Sequence, residues 1–395
     1  MTKVSKKIKV LMILPTLNLC GGIENFAISY YRELKDKVKF DFITHEINNN
    51  EYKNEIERDG NNVYCLPKFS ISNIIEIHKL IKRFFKEHND YDIVHCNMVN
   101  AAYIYLKEAK KYNIKVRIMH SHQNKYSDNF IHAIRNIPLI FIGKKYVTDR
   151  IACSEEAGKF LFGKKDFIVI KNAIDATKFK FNNQIREKMR RKLGVQNKFV
   201  IGSVGRFSPQ KNQAFLIDVF LKIKMKHTDS KLILIGEGEL KDFLVEKGEK
   251  YGILKDIIFI EPNDIVNDYL QAFDIFVLPS LYEGLGIVNI EAQAAGLHTV
   301  LSNNVPREAK VTENLVDFLS LSDGVEYWAN FILKNKDYIR KNTIDEIAKN
   351  GYDIHVSSKE LYDFYIKILK RKEKNDCIYS NVNYNDFFCI FCGKK

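Results

Sequence analysis

The sequence predicts an α/β protein made of two Rossmann-like, doubly wound domains that face each other across a cleft. Three observations predict this fold class. The chain has 395 residues, which is too long for a single ordinary hydrophobic core. Short β-branched runs alternate with amphipathic helical segments along most of it, as is typical of βαβ units. A charged stretch without strand character, around residues 181–197, divides these runs into two series.

Each apolar run predicts a parallel strand whose two faces are covered by helices. In chain order the first series is KVLMIL, FDFIT, DIVHC, KVRIMH, RIACS and FIVIKN, and the second is FVIGSVG, KLILIG, DIIFIE, DIFVLPS and HTVLS. Between the two series we expect a linker and one helix near residues 182–194. The segment SKELYDFYIKILKRKEK predicts an amphipathic last helix.

These elements predict the domain boundaries. The expected parts are a first domain at 1–180, a linker with its helix at 181–197, a second domain at 198–354, the C-terminal helix at 355–373 and an irregular tail at 374–395.

Seven scattered cysteines indicate reduced thiols. Cys377, Cys389 and Cys392 lie in the tail, but no His is close to them in sequence, which argues against a zinc site.

Composition limits the class of protein. With 46% hydrophobic and 28% charged residues the chain is expected to be a soluble globular protein. Its net charge of +13 is uneven, because residues 1–200 carry +16 and the remainder −3. A basic first half suits phosphates, an anionic membrane face or nucleic acid, although it also fits ordinary solvated lysines.

The beginning of the chain is basic and then apolar, as in a signal peptide. Its apolar part is short and runs into Gly21 and Gly22, so we interpret it as a first buried strand. No apolar stretch approaches the roughly 18 residues that a membrane span needs. We therefore expect a cytoplasmic location.

Charged residues follow two strands of the second series. Arg206 and Lys211 come directly after FVIGSVG, and two cations on one loop can hold a pyrophosphate. After DIFVLPS, Glu283 precedes a short helix and Glu291 lies in its second turn. Two such carboxylates could accept hydroxyls from two sugar rings. The amides of Gly284 and Leu285, at the helix start, could bind a phosphate.

The first series adds weaker signals. The Gly21–Gly22 loop after the first strand permits close approach to a phosphate. His120 and His122 come at the end of another strand, where a histidine is more often structural than catalytic. Asp90 and Asp92 form a DxD pair, but they precede a strand and are interpreted as strand-start residues, not as metal ligands.

Together these motifs resemble family 4 (group 1) retaining glycosyltransferases of the GT-B fold, in the EpsF-like branch of capsular and exopolysaccharide enzymes. The matching segments run in order from GGIENFAISYYREL through VRIMHSHQN, ACSEEAGKFLFG, IKNAIDATKFKFN and GSVGRFSPQKNQAFLIDVF to LPSLYEGLGIVNIEAQAAGL, within residues 8–321. The resemblance implies that the C-terminal helix crosses back to the first domain. It also implies that the E-x7-E pair, Glu283 and Glu291, holds a donor nucleotide sugar.

The resemblance assigns roles by position. Glu283 would contact the transferred sugar and Glu291 the ribose, while Arg206 and Lys211 would bind the diphosphate. Gly22 and the amides of Gly284 and Leu285 would lie nearby. His120 would orient the sugar, with His122 as the second candidate. Gly21, Ser154 and Asn172 are further candidate contacts.

The implied reaction transfers a hexose or N-acetylhexosamine from a UDP-sugar, with retention and without a metal or other cofactor. The acceptor would be a lipid-linked saccharide, which suits peripheral contact with an anionic inner membrane face. Three alternatives stay open: a nucleotide-sugar epimerase, a phosphorylase on the same fold, and a non-catalytic nucleotide-sugar-binding subunit. Nucleic acid is not an expected partner, since no recognition motif is present.

Overall fold

The structure, a computed structural model, describes residues 7–18, 22–69, 72–122, 130–261 and 265–380, of which 130–135 and 374–380 are described by their backbone alone. The chain divides into two compact units. Unit 1 comprises Met1–Asn172 and Ser357–Lys395, and unit 2 comprises Ala173–Val356. The predicted linker, residues 181–197, therefore lies inside unit 2. Unit 2 begins before the predicted linker because Ile174 pairs with Asp353 in a parallel bridge within that unit.

Unit 1 contains one parallel sheet of seven strands. Their order is β3-β2-β1-β4-β5-β6-β7, so the chain winds outward from β1 in one direction and then from β4 in the other. The strands are β1 (Ile8–Ile13), β2 (Val38–Thr44), β3 (Val63–Cys65), β4 (Ile93–Cys96), β5 (Val116–Ser121), β6 (Asp149–Ala152) and β7 (Ile168–Val169).

Helices connect these strands. They are α1 (Gly22–Leu34), α2 (Glu51–Arg58), α3 (Ile74–Glu87), α4 (Ala102–Lys111), α5 (Phe130–Lys144) and α6 (Glu155–Phe162). The buried residues of α3, which are Ile77, Ile81, Phe84 and Phe85, recur at helical spacing. They pack with Leu11, Ile13, Val94 and Cys96 of the sheet in one apolar cluster, which holds this helix on the sheet.

Unit 2 contains a parallel sheet of six strands in the order β10-β9-β8-β11-β12-β13. The strands are β8 (Phe199–Val204), β9 (Ser230–Ile235), β10 (Ile257–Ile260), β11 (Ile275–Leu278), β12 (His298–Ser302) and β13 (Val316–Leu319). The helices are α7 (Ala176–Phe179), α8 (Asn183–Leu193), α9 (Gln213–Lys226), α10 (Lys241–Lys250), α11 (Val266–Ala272), α12 (Ile287–Ala294), α13 (Gly324–Lys334), α14 (Ile344–Lys349) and, continuing into unit 1, α15 (Ile354–Ser380).

Alternate residues of the unit 2 strands belong to different cores. Ile275 and Val277 of β11 pack in one apolar cluster, while Phe276 and Leu278 pack in another. Because side chains alternate along a strand, the sheet has an apolar core on each face. This explains why its strands appear in the sequence as continuous apolar runs.

All eleven predicted runs form strands in the structure. The helix predicted near 182–194 is confirmed as α8, which begins after the N-cap Asn182 and ends at Gly194 in the left-handed conformation. Each unit is thus a doubly wound α/β sheet, as predicted. Two short strands, β3 and β13, were not predicted.

The last helix is longer than predicted. It was expected over 355–373 with an irregular tail from 374, whereas α15 runs from Ile354 to Ser380. The sequence KNDCIYS at 374–380 contains neither Gly nor Pro, so nothing in it stops a helix. Cys377 lies on this extension, and Cys389 and Cys392 lie outside the described residues.

Within the part of the chain that the structure describes, none of the helices combines the length and the apolar character needed to cross a membrane.

Candidate active site

The predicted cationic and acidic residues of unit 2 follow two neighbouring strands. β8 and β11 lie side by side, with Ile201 opposite Ile275 and Gly202 opposite Phe276. The chain leaves β8 toward β9 on one side and returns to β11 on the other, so this pair marks the topological switch point of the sheet. In doubly wound sheets the carboxyl ends of the strands at this point form the usual binding crevice.

Lys211 and Glu283 meet at this point. Lys211 Nζ lies 2.5 Å from Glu283 Oε1, and the Ser280 hydroxyl donates a 2.7 Å hydrogen bond to the same oxygen. The side chains are 17% and 5% exposed, so the pair is shielded from water on most sides. The two residues are 72 positions apart in the chain, and only the fold brings them together.

Hydrogen bonds join the two loops that carry this pair. The Leu281 amide donates to the Gln210 carbonyl, and Gln210 Nε2 donates to the Tyr282 carbonyl. Asn212 Nδ2 donates to the Pro279 carbonyl at 3.1 Å. The loops after β8 and β11 therefore form one structure, which fixes the position of Lys211.

Gly205 makes room for the Lys211 side chain. Its φ is +154°, which side chains disfavour, and a Cβ there would lie 3.2 Å from Lys211 Cε. The close approach of the backbone to the lysine stem explains why a glycine follows β8.

Arg206 does not join the Lys211–Glu283 pair. Its side chain is 73% exposed, and its Nη2 lies 3.3 Å from Glu239 Oε2. Exposed pairs of this kind contribute little, so the guanidinium remains available to a ligand at low energetic cost.

The start of α12 has donors available to a ligand. Gly286, its N-cap, adopts the left-handed conformation with φ +71°, and Asn289 Nδ2 donates to the Gly286 and Leu285 carbonyls. Among the described residues, none accepts a hydrogen bond from the amides of Gly284 or Leu285. These two N–H groups, together with the helix dipole, can bind an anionic group.

Glu291 lies one turn further along α12 and is partly buried. Burial raises the pKa of its carboxyl group to about 7. Within the described chain it has no ion pair or hydrogen-bond donor. A desolvated carboxylate without a partner is suited to accept hydroxyls from a ligand.

In unit 1 the predicted glycines and histidines have different surroundings. Gly22 is the exposed first residue of α1, and Gly21 lies outside the described residues. His120 is completely buried, whereas His122 is partly exposed. His122 Nε2 lies 2.8 Å from Asn97 Oδ1. Of the two histidines, His122 has the surface that a ligand could reach.

His120 belongs to a buried chain of hydrogen bonds that the sequence did not predict. The Tyr365 hydroxyl of α15 lies 2.7 Å from His95 Nδ1, and His95 Nε2 lies 3.1 Å from His120 Nδ1. Because the buried hydroxyl proton of Tyr365 needs an acceptor, the tyrosine donates to His95, and His95 donates to His120. His95 is the last but one residue of the strand DIVHC, and its place near the carboxyl end of a strand was its signal in the sequence.

Burial lowers the pKa of all three rings. The value falls to about 3 for His95 and for His122, and it lies well below the ordinary value for His120. The positive charge that a neighbouring histidine would carry disfavours protonation of His120 further. All three imidazoles are therefore neutral at physiological pH.

The remaining candidate residues differ in whether their side chains already have hydrogen-bond or ion-pair partners. The Ser154 hydroxyl caps α6 by accepting from the Ala157 amide at 3.1 Å, so it already has a structural role. Asn172 Oδ1 is buried without a hydrogen bond of normal geometry, and while burial lowers the pKa of the neighbouring His122, the Asn172 side chain raises it. Asp92 Oδ2 accepts from the Lys9 amide, and Asp90 pairs with Lys9 Nζ at 2.6 Å. The interpretation of this pair as strand-start residues is confirmed.

Two family models match the chain. Residues 20–178 match Glycosyltransferase Family 4, and residues 185–329 match Glycosyl transferases group 1. The chain is a family 4 glycosyltransferase. The second match contains Arg206, Lys211, Glu283 and Glu291, and the first contains His120 and His122.

Curated relatives of this glycosyltransferase cover most of its length. The putative glycosyltransferase EpsF of Bacillus subtilis is 29% identical, over 94% of this chain and 99% of its own. The capsular polysaccharide biosynthesis glycosyltransferase CapH of Staphylococcus aureus is 27% identical, over 91% and 99%. An Escherichia coli enzyme named UDP-Gal:alpha-D-GlcNAc-diphosphoundecaprenol alpha-1,3-galactosyltransferase is 25% identical, over 76% and 81%.

A solved structure supports the GT-B fold of the glycosyltransferase. Anabaena HepE, crystallised with UDP and glucose, matches with a TM-score of 0.70 over 93% of this chain and 99% of its own. At 17% identity this likeness concerns the fold alone. The predicted fold class is confirmed.

Proposed function

We propose that this glycosyltransferase transfers a hexose or N-acetylhexosamine from a UDP-sugar to a lipid-linked saccharide, with retention, during capsular or exopolysaccharide biosynthesis. The contact of Lys211 with Glu283 at the switch point of unit 2 carries the proposal. The Lys211 ammonium group, which could bind a diphosphate, lies directly beside the Glu283 carboxylate, which could accept sugar hydroxyls. The names of CapH and of the Escherichia coli relative support the pathway, the UDP donor and the lipid diphosphate acceptor.

The donor is assigned to unit 2. Arg206, Lys211 and the amides of Gly284 and Leu285 would hold the diphosphate, and Glu283 would accept hydroxyls of the transferred sugar. Glu291 would accept the ribose hydroxyls. Fixed positive groups stabilise the charge that develops on the leaving diphosphate, and we propose that they do so without a metal ion or cofactor.

The reaction exchanges one bond at the anomeric carbon for another. The bond from this carbon to the β-phosphate oxygen breaks, and the acceptor hydroxyl oxygen forms the new bond on the same face. The acceptor proton passes to the leaving phosphate oxygen, so no protein nucleophile is required. Lys211 and Arg206 act by stabilising that leaving group.

Unit 1 is assigned to the acceptor side. His122 is partly exposed, so we propose it as a ligand contact ahead of the buried His120, which would hold the neighbouring strand end in place. Gly22 offers backbone at the start of α1, and Asn172 offers a buried carbonyl oxygen beside His122. We also propose peripheral contact with the cytoplasmic face of a membrane, and the lipid-linked acceptors in the names of two relatives support the contact with a membrane.

Substitution at the Lys211–Glu283 pair tests the proposal. Lys211→Gln should reduce transfer by about a hundredfold or more, since a fixed charge on the developing anion is lost. Glu283→Gln should reduce transfer similarly, but it should keep the affinity for UDP and lose the extra affinity for a UDP-sugar. Calorimetry with UDP and with a panel of UDP-sugars, and transfer to lipid-linked saccharides of the native host, measure both effects.

A matched control is Lys241→Gln. Lys241 forms an exposed pair with Glu261 in the same unit, so its loss removes an equal charge outside the site. Turnover of either site variant within twofold of the control would refute the assignment. Sugar-nucleotide conversion without any acceptor would instead indicate an epimerase, and donor binding without conversion would indicate a binding subunit.

A further inference from the structure

A groove on unit 1 is lined by none of the residues assigned to transfer. It is formed by α3, α4 and the end of α5, and has a volume of about 450 Å³. Its lining combines lysines with apolar side chains, among them Ile75, Lys79, Lys82, Lys107, Glu108 and Ile142. α4 packs between α3 and α5, so the walls are fixed by the fold.

Three lysines give this groove its charge. Lys79, Lys82 and Lys107 are exposed, and within the described chain none of the three forms an ion pair. Three lysines from two helices outnumber the single Glu108 carboxylate in this concave site, and the excess positive charge attracts a phosphate. Burial lowers the pKa of His78 in the lining, the charge of Lys107 lowers it further, and the charge of Glu108 raises it. With three lysines against one glutamate, the lining has a net positive charge.

One acceptor in the groove is also unused. Glu108 Oε2 is buried, and it has no hydrogen-bond partner among the described residues. An unsatisfied buried acceptor favours a ligand that brings a donor. A headgroup with a phosphate for the lysines and a hydroxyl for Glu108 satisfies both requirements, and phosphatidylglycerol has both.

Apolar side chains are exposed at the same place. Ile75 and Ile142 are 71% and 41% exposed in the lining, and the adjacent Phe141 is 58% exposed. Burial of these apolar side chains away from water is favourable, and a soluble phosphate ligand would leave them exposed. An amphiphilic anion explains the lysines and the apolar residues together.

We propose that this groove binds the headgroup of an anionic phospholipid in a bilayer, with Ile75, Phe141 and Ile142 entering the acyl boundary. The inference gives the proposed membrane contact a defined site. It does not depend on the transfer reaction, because its test needs neither donor nor acceptor.

Flotation with vesicles tests this groove. The wild-type chain should float with phosphatidylcholine vesicles that contain phosphatidylglycerol, and not with phosphatidylcholine alone. The triple variant K79Q/K82Q/K107Q should bind roughly a hundredfold more weakly, since each lysine near the surface contributes several-fold. Its matched control, K188Q/K250Q/K255Q, removes the same charge from exposed positions of unit 2 and should bind like wild type.

A second pair of variants separates docking from general electrostatic attraction. Ile75→Ser with Ile142→Ser keeps every charge, and should also reduce flotation at least severalfold. These positions are exposed, so the fold should be retained, which thermal unfolding checks. The His78 pKa, followed by NMR, should rise in vesicles with phosphatidylglycerol, since a phosphate offsets the charge of Lys107.

Three outcomes would overturn the proposal. The two lysine triples could weaken flotation equally, which would indicate net charge alone. The serine variant could bind like wild type, which would remove the apolar contribution. Flotation could require a polyprenyl diphosphate and not phosphatidylglycerol, which would identify the lipid-linked acceptor as the occupant. Loss of flotation with normal transfer to a soluble acceptor would leave the transferase proposal intact.

Discussion

Glu283 and Lys211 show what a sequence can predict about single residues. Their types and their positions after two strands indicate a nucleotide-sugar site. Their direct contact, and the Ser280 hydroxyl that supports it, depend on β8 lying beside β11. Spacing along one loop could not reveal that arrangement, because the pair bridges two separate loops.

Glu291 allows a prediction about pH. Burial raises its pKa to about 7, and hydroxyls of a bound ribose favour the ionised form. Binding therefore lowers this pKa, and the affinity for UDP-glucose should rise as pH increases through 7. If binding lowers the pKa by about one unit, the affinity should increase roughly fivefold from about pH 6 to about pH 8.

Calorimetry with UDP-glucose measures this effect, since its diphosphate diester does not titrate in that range. Glu291→Gln should bind more weakly and show no such rise, whereas Glu246→Gln, at an exposed position of α10, should behave like wild type. An unchanged slope in the Glu291→Gln variant would contradict a ribose contact.

At the scale of elements, the apolar strands were the most predictable part. Most of the eleven predicted strands are buried and form continuous apolar runs in the sequence. The missed strands, β3 and β13, lie at the edges of their sheets and have three and four residues. The apolar run that contains β3 ends before Pro67, and Asp317 interrupts β13, so neither strand lies in a long continuous apolar run, and pairing with β2 and β12 defines them.

The last helix α15 is tied to unit 1 by contacts that its amphipathic pattern did not specify. Tyr365 donates to His95, and Arg371 pairs with Asp149. Tyr365→Phe should destabilise unit 1 by about 1–3 kcal/mol, because it leaves the buried His95 Nδ1 without a donor. Differential scanning calorimetry measures the loss.

The matched control for this helix is Tyr362→Phe. Tyr362 is only partly buried, and its ring lies under Lys37 Nζ at 5.3 Å, a contact that phenylalanine keeps. It should change the stability by less than about 0.5 kcal/mol. Equal losses for the two variants would show that the Tyr365 hydroxyl contributes nothing.

At the scale of the whole molecule, the sequence distinguished the two halves by charge, and the structure adds a second difference. Unit 1 contains the cluster of His95, His120 and His122, of which the first two are completely buried, and in unit 2 the strongly shifted acid is Glu291. The cluster could not be predicted, since its members come from two strands and the loop beyond, and Tyr365 adds a distant helix. The two units should therefore respond to acid in opposite directions.

The sign follows from proton binding. The three rings have lowered pKa values in the folded unit, so below about pH 6.5 the unfolded chain binds more protons, and unit 1 loses stability as pH falls. Each fully buried ring costs about 1.4 kcal/mol per pH unit until its own folded pKa is reached. Glu24, whose pKa is raised by burial, opposes this with one proton.

Glu291 has a raised pKa, so unit 2 gains stability as pH falls through about 7. On acidification from about pH 7 to about pH 5, unit 1 should consequently open first, with hydrogen exchange accelerating in β4 and β5 before it does so in β8 and β11. His122→Asn should reduce the acid sensitivity of unit 1, while His355→Gln, at a half-exposed position, should not change it. If β8 and β11 exchanged first, or if both variants behaved like wild type, the histidine cluster would not be what limits the protein in acid.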